Sequence, residues 1–267
     1  MRRLKTEAGF SLIELVVVVA ILGIVLAAVL GMLQGTQRVI LFASAGEDAQ
    51  VTARAALNQL ATDLRLINRG GPTSAGAITA ASATSITFLS DIDNDTQDGA
   101  GNNATLTALA NIGATTVQVN SATGFSVGEL LSIADGPVAE THPITAIAGT
   151  TLTLGAGLTA SYPVGSIVRS VETVSYTWDL ATRTLCRNVG GACIAPFPNI
   201  LLIATDVTGF QLTYFDSAGA VIPNPTTQAA RDAIREVRVQ LTSLAQSGDQ
   251  TVSRIMAVTV RPRNFFN

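Results

Sequence analysis

The chain has few of the residues on which catalysis and metal chemistry depend. It holds one histidine, His142, two cysteines, Cys186 and Cys193, and one lysine, Lys5. With one histidine there is no Ser-His-Asp set worth building, and neither a P-loop nor a dinucleotide fingerprint occurs. Two thiols with no histidine pair nearby do not make a tetrahedral zinc site. Charge is also scarce, at 13% of 267 residues, and between Leu15 and Leu33 there is none at all. The formal net charge is −3, and Lys and Arg are not clustered as a sequence-independent DNA surface requires, so no direct nucleic-acid partner is expected. Nothing in this inventory points to an enzyme.

The main feature present is the apolar run itself. Leu15–Leu33 is dominated by Val, Ile, Leu and Ala, and at ~1.5 Å per residue a helix here, lengthened by Phe10–Ile13, crosses a hydrocarbon core of about 30 Å. One acid, Glu14, stands near its start. Such a group costs roughly 2.5–3.5 kcal/mol at the centre of a membrane and somewhat less near its surface, so Glu14 calls for a partner. Before the run, Arg2, Arg3 and Lys5 against Glu7 make a basic leader that stays in the cytoplasm and sends the rest outward. No A-x-A-like cleavage site follows the run. A cut between Gly9 and Phe10 removes the leader, takes the formal charge to about −5, and leaves an α-amino group on Phe10. On a neighbouring subunit that amine lies about one helical turn from Glu14 and supplies its partner.

Gly9-Phe10-Ser11-Leu12-Ile13-Glu14-Leu15 closely resembles the class III signal of type IV pilins and type II secretion pseudopilins. The resemblance implies cleavage after Gly9 by the membrane-bound prepilin peptidase and N-methylation of Phe10. It also implies that Glu14 neutralises the first residue of an adjacent subunit as a filament grows. The bland reading is a plain signal anchor with an accidental glutamate. Many major pilins carry a proline near the position of Gly31. Its absence here points toward a minor pilin or a pseudopilin.

From Gln34 to Asn68 the pattern turns amphipathic. Leu57, Leu60, Leu64 and Ile67 recur at helical spacing beside Ala53, Ala56 and Ala61, with Arg54, Asp63 and Arg65 on the other side. The expected helix runs from Phe10 to about Arg69, where Gly70-Gly71-Pro72 stops it. Leu57–Arg65 also resembles the L-x-x-D-L-R helix end of PilW-type minor pilins and J-type pseudopilins.

Beyond the helix the chain reads as short strands. Ser85–Leu89 leads into Asp91, Asp93, Asp95 and Asp98, whose spacing resembles the opening of a calcium loop. The loop lacks the glycine at its sixth position and the closing glutamate, and a polar hairpin turn explains the same residues. Apart from this candidate calcium, no cofactor is expected. Residues 100–170 form a β-rich insert with strands at Thr115–Val119, Glu129–Ile133, Glu140–Ile147, Thr150–Leu154 and Ser166–Val168. The insert loosely resembles β modules of phage-tail and cell-surface proteins, and reads as a binding element or as decoration. His142 is placed in an exposed strand. Val171–Trp178 alternates and is a partner for the strand before Asp91. Cys186 and Cys193 are expected to pair in an oxidising compartment, adding on the order of 2.5 kcal/mol. Strands at Phe210–Phe215, Ile234–Leu244 and Val252–Arg261 complete the head, the last two antiparallel. The basic, aromatic tail from Arg261 to Asn267 reads as a contact patch or a tethered terminus.

The expectation is therefore an α+β, pilin-like lollipop, with a long N-terminal helix on an antiparallel β head. Its segments are a cleaved leader (1–9), a membrane and filament-core helix (10–33), an amphipathic helix and the start of the head (34–99), the insert (100–170) and the rest of the head (171–267). The resemblance implies a single-pass precursor in the bacterial inner membrane with its head outside, later part of a pilus or pseudopilus. Its implied partners are other pilins or pseudopilins, the prepilin peptidase and the inner-membrane assembly platform. A minor type IV pilin serving adhesion, twitching or DNA uptake is the leading expectation. A type II secretion pseudopilin and a monomeric membrane-anchored adhesin are its rivals.

Overall fold

A computed structural model describes residues 12–71, 76–92, 104–136, 138–191, 193, 201–204, 206–247 and 250–265. In chain order the elements are α1 (Leu12–Arg65), β1 (Ile78–Ala81), β2 (Ser85–Ser90), β3 (Ala104–Thr105), β4 (Thr116–Gln118), β5 (Leu130–Asp135), β6 (Val138–Ala148) and β7 (Thr151–Leu154). They continue with β8 (Ile167–Asp179), β9 (Thr184–Val189), β10 (Leu201–Ala204), β11 (Val207–Phe215), β12 (Val221–Ile222), α2 (Gln228–Asp232), β13 (Glu236–Ser247) and β14 (Gln250–Val260). Two compact units result. One holds Met1–Asp48 with Ala245–Val252, the other Ala49–Leu244 with Ser253–Asn267. The α+β class and the long apolar helix are as the sequence led us to expect.

α1 is a single helix of 54 residues, formed where no proline interrupts a run of aliphatic side chains and alanines. It stops at Arg65, four residues short of the expected end. The chain there leaves helical geometry because other elements take its backbone groups. The Asn68 amide donates to the Leu89 carbonyl at 2.9 Å, and Asn68 itself sits at φ 64°. Ser90 Oγ donates to the Leu66 carbonyl at 2.7 Å. Gly70 follows at φ 74°, and a Cβ on it would lie 2.8 Å from Asp91 Cβ, so the close approach of β2 requires glycine. The tail is tethered at the same place, with Asn264 Nδ2 donating to the Ile67 carbonyl at 3.1 Å.

In the second unit, Ala53, Ala56, Leu57, Leu60, Leu64 and Ile67 enter one core with β-sheet residues such as Phe88, Tyr176, Leu185, Val237, Val239 and Leu241. The C-terminal part of that core comes from a four-stranded sheet ordered β12-β11-β13-β14. Val237, Val239 and Leu241 face inward while Arg238 and Gln240 are exposed, which is the expected alternation.

β8 joins the two halves of this unit. The expected break between 168 and 171 does not exist. The strand is continuous, because the polar residues there are absorbed by neighbours. Ser170 Oγ donates to Glu129 Oε2 at 2.9 Å, and Arg169 stands opposite Ser132 in the β5 ladder. From Glu172 to Thr177, β8 pairs with β2, as the alternation suggested. Its first residues instead pair with β3 and β5. β5 pairs with β6, β6 with β7, and β7 with β4. The segment after β3 then meets the end of β4, with the Thr107 amide on the Gln118 carbonyl and the Asn120 amide on the Thr105 carbonyl, both at 2.9 Å. These pairings close β3, β4, β7, β6, β5 and β8 into a small barrel. Closure removes the free strand edges that invite unwanted pairing. A second core fills the barrel, including Leu106, Val119, Leu131, Ile133, Leu152 and Tyr162, and it shares no residue with the first.

Candidate functional site

The candidate site is the N-terminal half of α1. From Leu12 to Leu33 every large aliphatic side chain is exposed, from 49% at Val29 to 81% at Leu12. Val39, Ile40 and Leu41 continue the pattern above it. A soluble domain does not leave so long an apolar surface uncovered, so this surface requires lipid or other helices. The helix is long and apolar enough to cross a membrane. Glu14 lies in its first turn, the one acid there, and its side chain is exposed among Leu12, Ile13, Leu15 and Val16. Gly9 and Phe10 lie outside the described residues.

The other expected sites fall differently. Cys186 and Cys193 are joined by a disulfide. Asp91 is buried, its amide on the Arg69 carbonyl at 2.8 Å. Burial lowers the Arg169 guanidinium pKa, against the opposing pull of Asp91. Asp93, Asp95 and Asp98 lie outside the described residues, and among the described residues no group of three or more His, Cys, Asp or Glu side chains stands close enough to hold a metal ion.

Two polar clusters were not foreseen. Asp63, grouped with Arg54 and Arg65 in the sequence, is instead 2% exposed, its spacing from Ala56 and Leu60 putting it on the covered face. Its Oδ2 accepts from Tyr176 Oη at 2.6 Å and from Arg187 Nε at 2.7 Å, while Gln59 Nε2 donates to Oδ1 at 2.9 Å. Burial and the Asp63 charge push the Tyr176 hydroxyl pKa up. Burial opposes the charge on Arg187, yet the hydrogen bond and charge of Asp63 raise its pKa overall. Only the L-x-x-D-L-R resemblance singled out Asp63 in the sequence.

The second cluster corrects the placing of His142, which is buried rather than exposed. A turn of chain, 155–163, is held against β6, with the Gly155 amide on the Pro143 carbonyl at 2.8 Å. Glu140 anchors that turn. Its carboxylate accepts from the Thr159 amide at 2.8 Å, the Thr159 hydroxyl at 2.9 Å and the Ala160 amide at 3.2 Å, and lies 2.7 Å from His142 Nε2. Burial opposes ionisation, but these donors outweigh it and hold the Glu140 pKa at about 2. Burial and the same carboxylate push the Tyr162 hydroxyl up.

Residues 4–30 match the prokaryotic N-terminal methylation motif. That motif indicates a type IV pilin- or pseudopilin-type precursor, a class whose members are structural and are not enzymes. It implies processing by a prepilin peptidase and assembly with other pilins, and with the apolar helix it is consistent with membrane anchoring. No curated protein and no solved structure matches the chain.

Proposed function

We propose that this chain is a minor type IV pilin of the PilW type, an assembly subunit that initiates or caps a pilus. The observation that carries the reading is the uncovered apolar stretch of α1 with one acid, Glu14, near its start, both within a methylation motif that spans residues 4–30. In the membrane, lipid covers that surface. After cleavage between Gly9 and Phe10, neighbouring helices replace the lipid. The new, methylated amine of a neighbour's Phe10 then sits beside Glu14. A misaligned helix leaves the carboxylate unpaired in apolar surroundings, so the pair sets the register between subunits. On this reading the barrel at 104–168 is a module inserted into the pilin head, displayed at the tip or surface of the filament.

Mass spectrometry of the mature amino terminus tests the processing step, with N-methyl-Phe10 as the expected first residue. Glu14→Ala is expected to leave the protein in the membrane and reduce its recovery in sheared filaments at least tenfold. A chain that still begins at Met1 and does not enter filaments is instead a membrane-anchored surface protein, and one that enters filaments unchanged as Glu14→Ala overturns the register role of Glu14. Loss of protein secretion on deletion, with surface pili intact, identifies a type II secretion pseudopilin.

A further inference from the structure

The barrel carries almost no charge. Between Ala104 and Val168 there is no Lys or Arg, and the three acids are Glu129, Asp135 and Glu140. Two of them are used internally. Glu129 Oε2 accepts from the Ser126 amide and from Ser170 Oγ, both at 2.9 Å, and Glu140 anchors the turn at 155–163. Asp135 ends β5, which β6 separates from β7. The outer face of β4 and β7 is therefore uncharged. On it Thr116 stands opposite Thr153 and Gln118 opposite Thr151, while Val117 and Leu152 between them enter the core. Such cross-strand neighbours have Cβ atoms about 4.5–5.5 Å apart. Among the described residues, no hydrogen bond engages the side chains of Thr116, Gln118 or Thr151. A cleft of about 240 Å³ opens here, lined by these three from the strands and by Ala108, Leu109 and Ala110 from the loop beside them. That loop is fixed at both ends. The Thr107 amide donates to the Gln118 carbonyl at 2.9 Å, and Ala110 exchanges two backbone bonds with Tyr162, at 3.0 and 2.8 Å.

We propose that this cleft binds a neutral saccharide, taking one hexose unit of a longer glycan. Sites for drug-sized ligands run to roughly 300–1,000 Å³, so a cleft of this size holds a small unit and leaves the rest of the ligand outside. The lining sets the chemistry. The Gln118 amide and the hydroxyls of Thr116 and Thr151 each donate and accept, which suits a ring rimmed with hydroxyls. Leu109, 58% exposed, and the two alanines give an apolar patch for the C–H face of that ring. With no cation on this face, a phosphate, sulfate or carboxylate group finds no charged partner, and with no free carboxylate a cationic ligand finds none either. A wholly apolar ligand strips water from three polar side chains without replacing their hydrogen bonds, which costs free energy. A neutral, hydroxylated ring meets both kinds of lining. Because the loop is already fixed, little ordering is needed on binding. The site lies within the barrel and operates whether or not the chain enters a filament.

The test is binding of the full-length protein, in the sugar-free detergent lauryldimethylamine oxide, to an array. The array carries neutral hexose oligosaccharides, sialylated and sulfated oligosaccharides, and octadecyl-coated spots. Retention is expected on neutral hexose oligosaccharides and not on the charged or octadecyl spots. The double variant Gln118→Ala/Thr151→Ala should weaken that retention about tenfold, through loss of two hydrogen-bonding side chains, with its thermal melt unchanged. Ala108→Phe, which fills the cleft from the exposed loop, should abolish retention. Thr123→Ala, exposed elsewhere on the barrel, should bind as wild type does. Three results overturn the proposal: no retention on any neutral saccharide, stronger retention on the charged or octadecyl spots, or retention on neutral saccharides that both cleft variants leave unchanged.

Discussion

Asp63 shows how much one buried carboxylate can rest on its neighbours. Removing a single partner from a buried pair strands the other charge, which costs about 3–5 kcal/mol. Arg187→Ala is therefore expected to lower the stability of the head by that amount in urea denaturation, and Asp63→Ala by a similar amount. The double variant should cost less than the sum of the two. Glu140 makes a different prediction, in pH. Its pKa is lowered in the folded chain, so its contribution is fully present above the ordinary carboxylate value of 4.5 and is lost as pH falls toward about 2. Thermal melts of wild type should fall steeply across that window. Those of Glu140→Gln should start lower and stay flatter. Asp63 entered the sequence reading only through a resemblance and Glu140 only as the first residue of an expected strand, because a local pattern does not say which donors a carboxylate will meet. The same holds for His142, whose burial no pattern within its strand announces.

At the scale of elements, α1 behaves as two helices in one. Its aliphatic half has no covering side chains, while its second half is covered along one stripe, from Ala53 to Leu64. Leu22 lies near the middle of the exposed stretch. Leu22→Lys is expected to cost about 2.5–3.5 kcal/mol of insertion and to shift the protein from the membrane to the soluble or degraded fraction. Leu60→Ala, in the covered half, should leave membrane retention unchanged and destabilise the head by about 2–5 kcal/mol. β8 carries the opposite lesson. Its sequence reads as two short strands separated by Arg169 and Ser170, and only the partners on β5 and Glu129 make it one.

For the whole molecule, the separation of the two cores has a measurable consequence. The barrel residues and the residues around Leu60 do not intermix, and β8 is the strand that runs through both halves. Leu131→Ala, fully buried in the barrel, should cost about 2–5 kcal/mol there. Hydrogen exchange should accelerate at β5–β7 while the helix peptides near Leu60 keep most of their protection. Equal acceleration in both regions would mean that barrel and head unfold as one cooperative block.

The local grammar of the chain determined the apolar helix, its lone acid, most strand positions and the alternation of Val237, Val239 and Leu241. Each of these depends on side chains close together in sequence, where period and composition suffice. The tertiary structure decided where α1 stops, the closure of the barrel, the continuity of β8, the burial of His142 and the pairing of Asp63 with Arg187. These outcomes turn on groups being met by other segments of the chain, from 11 residues away at Thr107–Gln118 to 124 at Asp63–Arg187. No local pattern records that meeting, because its free energy exists only once the two segments are in contact.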